Sequence, residues 1–192
     1  MRMTSGTRLA VCAALLVGTV DAHAKETQRK FVSGGTVRLE LAAGEYEIVA
    51  SRDDSIRVSW DDRKDVADVD LRIDVAASRA TVRTETPWHD GPRIRIELPR
   101  RTDIVLNLSA GDLDINGIEG SKDIAAKAGE VKIGIGSRDQ YRYVNASVRI
   151  GELNADAFDV NEDGFFRSFE WSGKGRYELR AHLTVGELHL DR

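Results

Sequence analysis

The run Asp159-Val160-Asn161-Glu162-Asp163-Gly164, followed by Glu170, matches every defined position of a calcium loop of the D-x-[DN]-x-[DN]-G-x5-E type. Oxygen donors at the first, third, fifth and twelfth positions, with a glycine at the sixth, suit a hard cation. Such a loop is normally held by a helix on each side. Here Gly151 precedes it by eight residues, Gly173 and Gly175 follow closely, and the eighth position is Phe166 rather than an aliphatic residue. Asp159, Asn161, Asp163 and Glu170 are thus the candidate metal ligands. The expectation is nevertheless a structural turn and strand, with no metal and no cofactor.

A second set of acids follows repeated glycines. Asp112, Glu130 and Glu152 come after Gly111, Gly129 and Gly151, which are 18 and then 22 residues apart. If those segments stack, the three carboxylates form one outward column with neighbours roughly 5 Å apart. A divalent cation would relieve their repulsion, as would plain solvation or the nearby Lys127 and Lys132. His182 and His189 are seven residues apart. Two histidines with no third ligand at a fixed spacing make a poor metal signature. Trp88 and His89 sit in a proline-bounded loop between Pro87 and Pro92 that could touch a ligand or simply pack.

Enzyme signatures are missing. The chain has no G-x-S-x-G elbow, no H-E-x-x-H and no phosphate loop, and its single cysteine, Cys12, lies in the apolar leader. Carboxylates are plentiful, as in glycosidases, but acids on strand faces also serve solubility.

The elements that must position these residues are strands. Five stretches repeat one pattern of glycine, acid and alternating apolar residues: 43–48 (AGEYEI), 110–115 (AGDLDI), 128–133 (AGEVKI), 150–155 (IGELNA) and 185–190 (VGELHL). A period near 20 with alternation inside each unit predicts stacked coils, a β-solenoid. Leu113, Val131, Leu153 and Leu188 would then point inward, and so would Ile115, Ile133, Ala155 and Leu190. Before the four later repeats, 36–41, 56–60, 68–75, 80–86, 94–98 and 104–108 also alternate, separated by Gly, Asp, Ser and Pro. Their 8–12-residue spacing leaves an antiparallel β-sandwich as the alternative fold. At most one helical turn fits, at 121–128, between Gly120 and Gly129.

Residues 1–24 read as a secretory signal peptide: Arg2 and Arg8, an apolar stretch over 9–20, and the small-x-small site Ala22-His23-Ala24. Residues 25–32 open with a polar run that predicts a flexible start, and 33–192 form a single domain. Roughly 170 residues after the leader suffice for one core. The net charge of −4 argues against nucleic acid and against electrostatic binding to anionic lipid. No second long apolar run follows, so no transmembrane segment is expected in the processed chain.

The repeats, the segment Gly-Phe-Phe-Arg-Ser-Phe-Glu-Trp-Ser-Gly-Lys-Gly over 164–175 and the closing Val-Gly-Glu-Leu-His-Leu together resemble a large bacterial family of exported adhesin-like proteins, formally a domain of unknown function. The resemblance spans most of 33–190. It implies a right-handed parallel β-helix or β-roll at the cell envelope, periplasmic or extracellular, and it transfers no catalytic residue. The functional expectation is a non-enzymatic module that binds or scaffolds, with an envelope protein or surface component as its partner. The alternatives are an envelope-stress sensor that takes a peptide or lipid-derived ligand, and a small carbohydrate-active enzyme. Phe165, Phe169 and Trp171 share strand parity, opposite to Phe166, and predict an aromatic cap on one end of the core.

Overall fold

The computed structural model describes residues 24–61, 70–85 and 93–192. The signal-peptide reading rests on residues 1–23 and the first alanine of the first strand, so nearly all of it lies outside the described residues; the Trp88–His89 loop does too. Thirteen strands join in one sheet, and no α-helix occurs among the described residues. The strands are β1 (Ala24–Lys30), β2 (Thr36–Leu41), β3 (Gly44–Ser51), β4 (Ser55–Asp61), β5 (Asp70–Ala76), β6 (Arg79–Glu85), β7 (Arg93–Pro99), β8 (Asp103–Leu108), β9 (Gly111–Asn116), β10 (Lys122–Gly134), β11 (Tyr141–Ala155), β12 (Val160–Ser172) and β13 (Tyr177–Asp191).

The architecture is organised around β10, long enough to serve two arms. Its first half pairs in parallel with β8, and its second half with β9. From β8 one arm runs on through β2 to β6 and β5; from β9 the other runs through β3 to β7, β4 and β1. The ten-strand path therefore turns back on itself at β10 into a nearly closed, barrel-like wall with the apolar faces inside. On the far side of β10 the sheet continues through β13 and β11 to β12.

This corrects the expected fold. A right-handed parallel β-helix or β-roll solenoid stacks its coils in chain order, and this sheet does not. β13 inserts between β10 and β11, and β2 and β3 lie between the β6–β7 pair and the β8–β9 pair. Antiparallel pairings, β1 with β4, β4 with β7, β5 with β6 and β11 with β12, break the coil repeat further. The antiparallel sandwich is not present either, because the strands share one sheet with many parallel neighbours. Identical repeats can pair with any other copy, so a sequence period sets the register but leaves the neighbour open.

The local alternation is nonetheless the force behind the wall. Tyr46, Leu113, Val131, Leu188 and Leu153 lie level on successive strands and are buried. Ile48, Ile115, Ile133 and Leu190 form the next inward row. Burying each such side chain contributes about 1.5–3 kcal/mol. Two residues before the first of these rows the strands bend at glycine. Gly129 has φ +124°, and a Cβ there would overlap the carbonyl of Gly111 on the next strand, so backbone meets backbone where no other residue fits.

Two local expectations change. The polar stretch at 25–30 is not a loose lead-in but most of β1, laid antiparallel on β4. The possible helical turn at 121–128 is the first half of β10, whose residues alternate buried and exposed.

Candidate functional site

The glycine bend sets two outward rows across five strands. The residue after each glycine gives Glu45, Asp112, Glu130, Glu187 and Glu152, in that spatial order. Two residues on, the second row reads Glu47, Asp114, Lys132, His189 and Asn154. Neighbouring strands are about 4.8 Å apart. Five carboxylates thus stand side by side, a spacing at which two unit charges cost each other about 1 kcal/mol in water. A depression of about 370 Å³ opens over the near end, lined by Glu45, Glu47, Asp112, Asp114, Glu130 and Lys132 among others.

Compensation is uneven along the rows. On the β3–β7 side, Arg93 pairs with Glu45 at 3.0 Å and Arg95 with Glu47 at 2.6 Å. On β10, Lys132 pairs with Glu130 at 2.6 Å. Among the described residues, no side-chain cation pairs with Asp112 or Glu152. Asp114 accepts a hydrogen bond from Asn116 at 2.6 Å. Its carboxyl is pushed above the usual range, first by burial and then by the charge of Glu47, with Lys132 pulling the other way.

His189 joins the acids from the second row. Its side chain is only 17% exposed, and Nε2 lies 3.4 Å from Glu187 Oε2 and 3.7 Å from Glu130 Oε1. Donor atoms of Glu130, Glu187 and His189 all fall within 4.8 Å of one another. His182 is elsewhere, beyond the bend, with Nδ1 2.8 Å from Ser147 Oγ. The two histidines are therefore separate features. Sequence spacing singled out Asp112, Glu130 and Glu152, and the structure adds Glu45, Glu187 and His189 to their surface. The signal for these was present, since 43–48 and 185–190 carry the same motif, but it does not say that β13 lies beside β10.

The calcium-loop residues do not converge. Val160 to Ser172 is strand paired with β11, so Asp159 and Glu170 stand toward opposite ends of β12 rather than around one point. Asp159 ends a short 3-10 turn in the left-handed region and pairs with Arg192 at 2.9 Å. Glu170 accepts hydrogen bonds from Asn145 at 2.8 Å and Tyr143 at 3.2 Å. The backbones of Asn161 and Asp163 lie opposite Asn154 and Glu152. Further along β12, Phe169 and Trp171 pack on Phe158 with ring centroids 5.3 and 5.2 Å away, while Phe166 is 76% exposed.

One buried ionisable group had no counterpart in the sequence reading. Lys122 is 2% exposed and donates to the carbonyls of Ile118 (2.9 Å) and Gly120 (3.3 Å) and to the Tyr141 hydroxyl (3.0 Å). Burial lowers its pKa to about 8 and raises that of Tyr141 to about 12. It ties the loop after β9 to the start of β10, a structural task.

No family model matches the chain, and no curated protein matches it either. Solved structures do. A candidate cell adhesion protein from Clostridium sporogenes superimposes with a TM-score of 0.53 at 14% identity, over 88% of this chain and 99% of that one. The two share a fold. A candidate adhesin from Parabacteroides distasonis (TM-score 0.24, 8% identity, 88% of this chain and 98% of that one) is a more distant match. So is a candidate lipid-binding protein from the same species (TM-score 0.25, 10% identity, 90% and 98%). Among the described residues, no helix is long and apolar enough to cross a membrane.

Proposed function

We propose that this chain is a non-enzymatic binding or scaffolding module of the bacterial cell envelope, exported by its leader, and that it engages an envelope protein or surface component through the acidic outer face. The observation that carries this reading is the pair of outward rows held in register across β3, β9, β10, β13 and β11. A sheet of this kind presents side chains at fixed spacing with little ordering cost on binding. The incomplete neutralisation of the acids favours a partner that brings positive charge. The placement of the carboxylates supports binding over hydrolysis. Paired catalytic acids face each other across a substrate, about 5–9 Å apart, with one kept protonated. Here the acids stand in a row on one surface. The shared fold with a candidate cell adhesion protein agrees with a surface role.

The test is fractionation followed by retention. The chain should be recovered from the envelope fraction with its N-terminus at Lys25. Immobilised, it should retain an envelope component that is released at high salt and is not retained by the Asp112→Asn, Glu152→Gln variant. Recovery of the full-length chain in the cytosol, or equal retention by the variant, would overturn the reading.

A further inference from the structure

We propose that Glu130, Glu187 and His189 form a binding site for a divalent transition metal of the zinc class. The inference goes beyond the binding-module reading and stands or falls without it, because the metal is tested alone.

The first support is geometric. Zinc bonds to imidazole nitrogen and carboxylate oxygen at about 2.0–2.2 Å in a tetrahedral arrangement, which places neighbouring ligand atoms roughly 3.3–3.5 Å apart. The distances from His189 Nε2 to Glu187 and Glu130, 3.4 and 3.7 Å, are close to that edge. The whole trio spans no more than 4.8 Å, so a small rotation of one carboxylate closes the triangle. The scaffold is firm. Glu130 and Glu187 are register partners on β10 and β13, and His189 stands two residues beyond Glu187 on the same face. Three protein ligands leave a fourth position for water or for a group from a partner. The imidazole selects a transition metal over calcium, which takes six to eight oxygens.

The second support is independent of the charges. Asn154, the register partner of His189 on β11, has a buried side-chain oxygen with no hydrogen-bond donor among the described residues. Buried carbonyl oxygens are almost always satisfied, and an orphan on the strand next to His189 suits a cation or its bound water. Lys132 Nζ, 2.6 Å from Glu130 Oε1, shows that this carboxylate already holds a positive charge, which a metal would displace. Loading therefore releases the lysine from Glu130.

The experiment is calorimetric titration of the purified processed chain with zinc chloride, repeated with cobalt(II) to read the visible band of tetrahedral coordination. We expect one zinc per chain. His189→Gln should weaken binding more than about tenfold and abolish the cobalt band. Glu187→Gln should also weaken it. Lys132→Gln should tighten it by removing the competing cation. His182→Gln, far from the trio, should leave it unchanged. All four substitutions are at the surface, and circular dichroism checks that each variant folds. The proposal is overturned if His189→Gln binds zinc as the parent does, if His182→Gln abolishes binding, or if neither the parent nor Lys132→Gln binds zinc.

Discussion

The β3–β7 arm and the β10–β13–β11 half carry the same glycine–acid repeat and treat it differently. In the arm, each acid meets an arginine on the adjoining strand: Glu45 with Arg93 and Glu47 with Arg95, while Glu97 pairs with Arg57 at 2.6 Å. In the other half, repeats pair with repeats, so acid lies beside acid from Asp112 to Glu130, Glu187 and Glu152. The motif therefore does not determine its own electrostatics. What stands on the next strand does. A repeat beside an unrelated strand can be neutralised, whereas a repeat beside its own kind accumulates charge, and that surplus makes the second region a candidate for binding.

The bend itself gives the largest test of the contrast. Gly44, at the arm end of the glycine row, lacks a positive φ, and a Cβ there would first meet the Tyr46 ring at 3.3 Å, a side chain rather than backbone. Gly129, within the long-strand half, has positive φ and a neighbouring carbonyl in the way. Gly129→Ala should cost more than about 3 kcal/mol or prevent folding, while Gly44→Ala should cost about 1 kcal/mol or less. Urea denaturation measures both, and equal costs would break the contrast.

Inward and outward positions on the same strands come next. Leu188→Ala or Leu153→Ala should cost about 2–5 kcal/mol by opening a cavity in the buried row. Changing outward Glu152 to Ala should cost no more than about 0.5 kcal/mol. Equal losses at both kinds of position would refute the assignment of faces.

The buried lysine gives a pH signature from within β10. Lys122 has a folded pKa of about 8, below its ordinary value near 10.4, so between those values the unfolded chain binds more protons and stability rises with pH. Tyr141, raised to about 12, acts oppositely. Above about pH 10 the fold retains a proton that the unfolded chain loses, and stability falls. Urea melts from pH 7.5 to 11 should pass through a maximum near pH 10, with a rise on the order of 2 kcal/mol. Lys122→Met should flatten the rising limb. A rising limb that survives Lys122→Met would remove the lysine as its source.

The smallest effect separates the two charge environments. Asp114 has a raised pKa, so the fold binds its proton more tightly than the unfolded chain does. Its ionised form therefore costs stability at neutral pH, and the cost fades as pH falls through the carboxyl range. Asp114→Asn should be neutral or stabilising by a few tenths of a kcal/mol at pH 7. Arg95→Gln, in the neutralised arm, should destabilise by up to about 1 kcal/mol. The Arg95→Gln effect should shrink in high salt, while the Asp114→Asn effect, set first by burial, should change less; the same sign for the two variants would contradict the contrast.

Much of the strand content was legible because alternation is local. Val37, Leu39 and Leu41 declare an inward face by themselves, as do Leu113 and Ile115. The first half of β10 was hidden for a specific reason. Lys122 occupies an inward position with its ammonium satisfied by two carbonyls and a tyrosine, so the apolar period begins with a charged residue. The calcium-loop pattern is a match of residue order alone, along a stretch that is paired strand.

The sequence by itself determined which residues face inward, where glycine must bend the chain, and that the repeats would align position by position. These follow from side-chain period and backbone sterics, which act over a few residues. Only the tertiary structure decided that β13 pairs with β10, that arginines on β7 meet the acids of β3, and that His189 comes to Glu130 and Glu187. Those contacts join residues that are distant along the chain. Five copies of one motif can pair in many orders with nearly the same local energy, and the order is selected by the burial and pairing of the whole sheet.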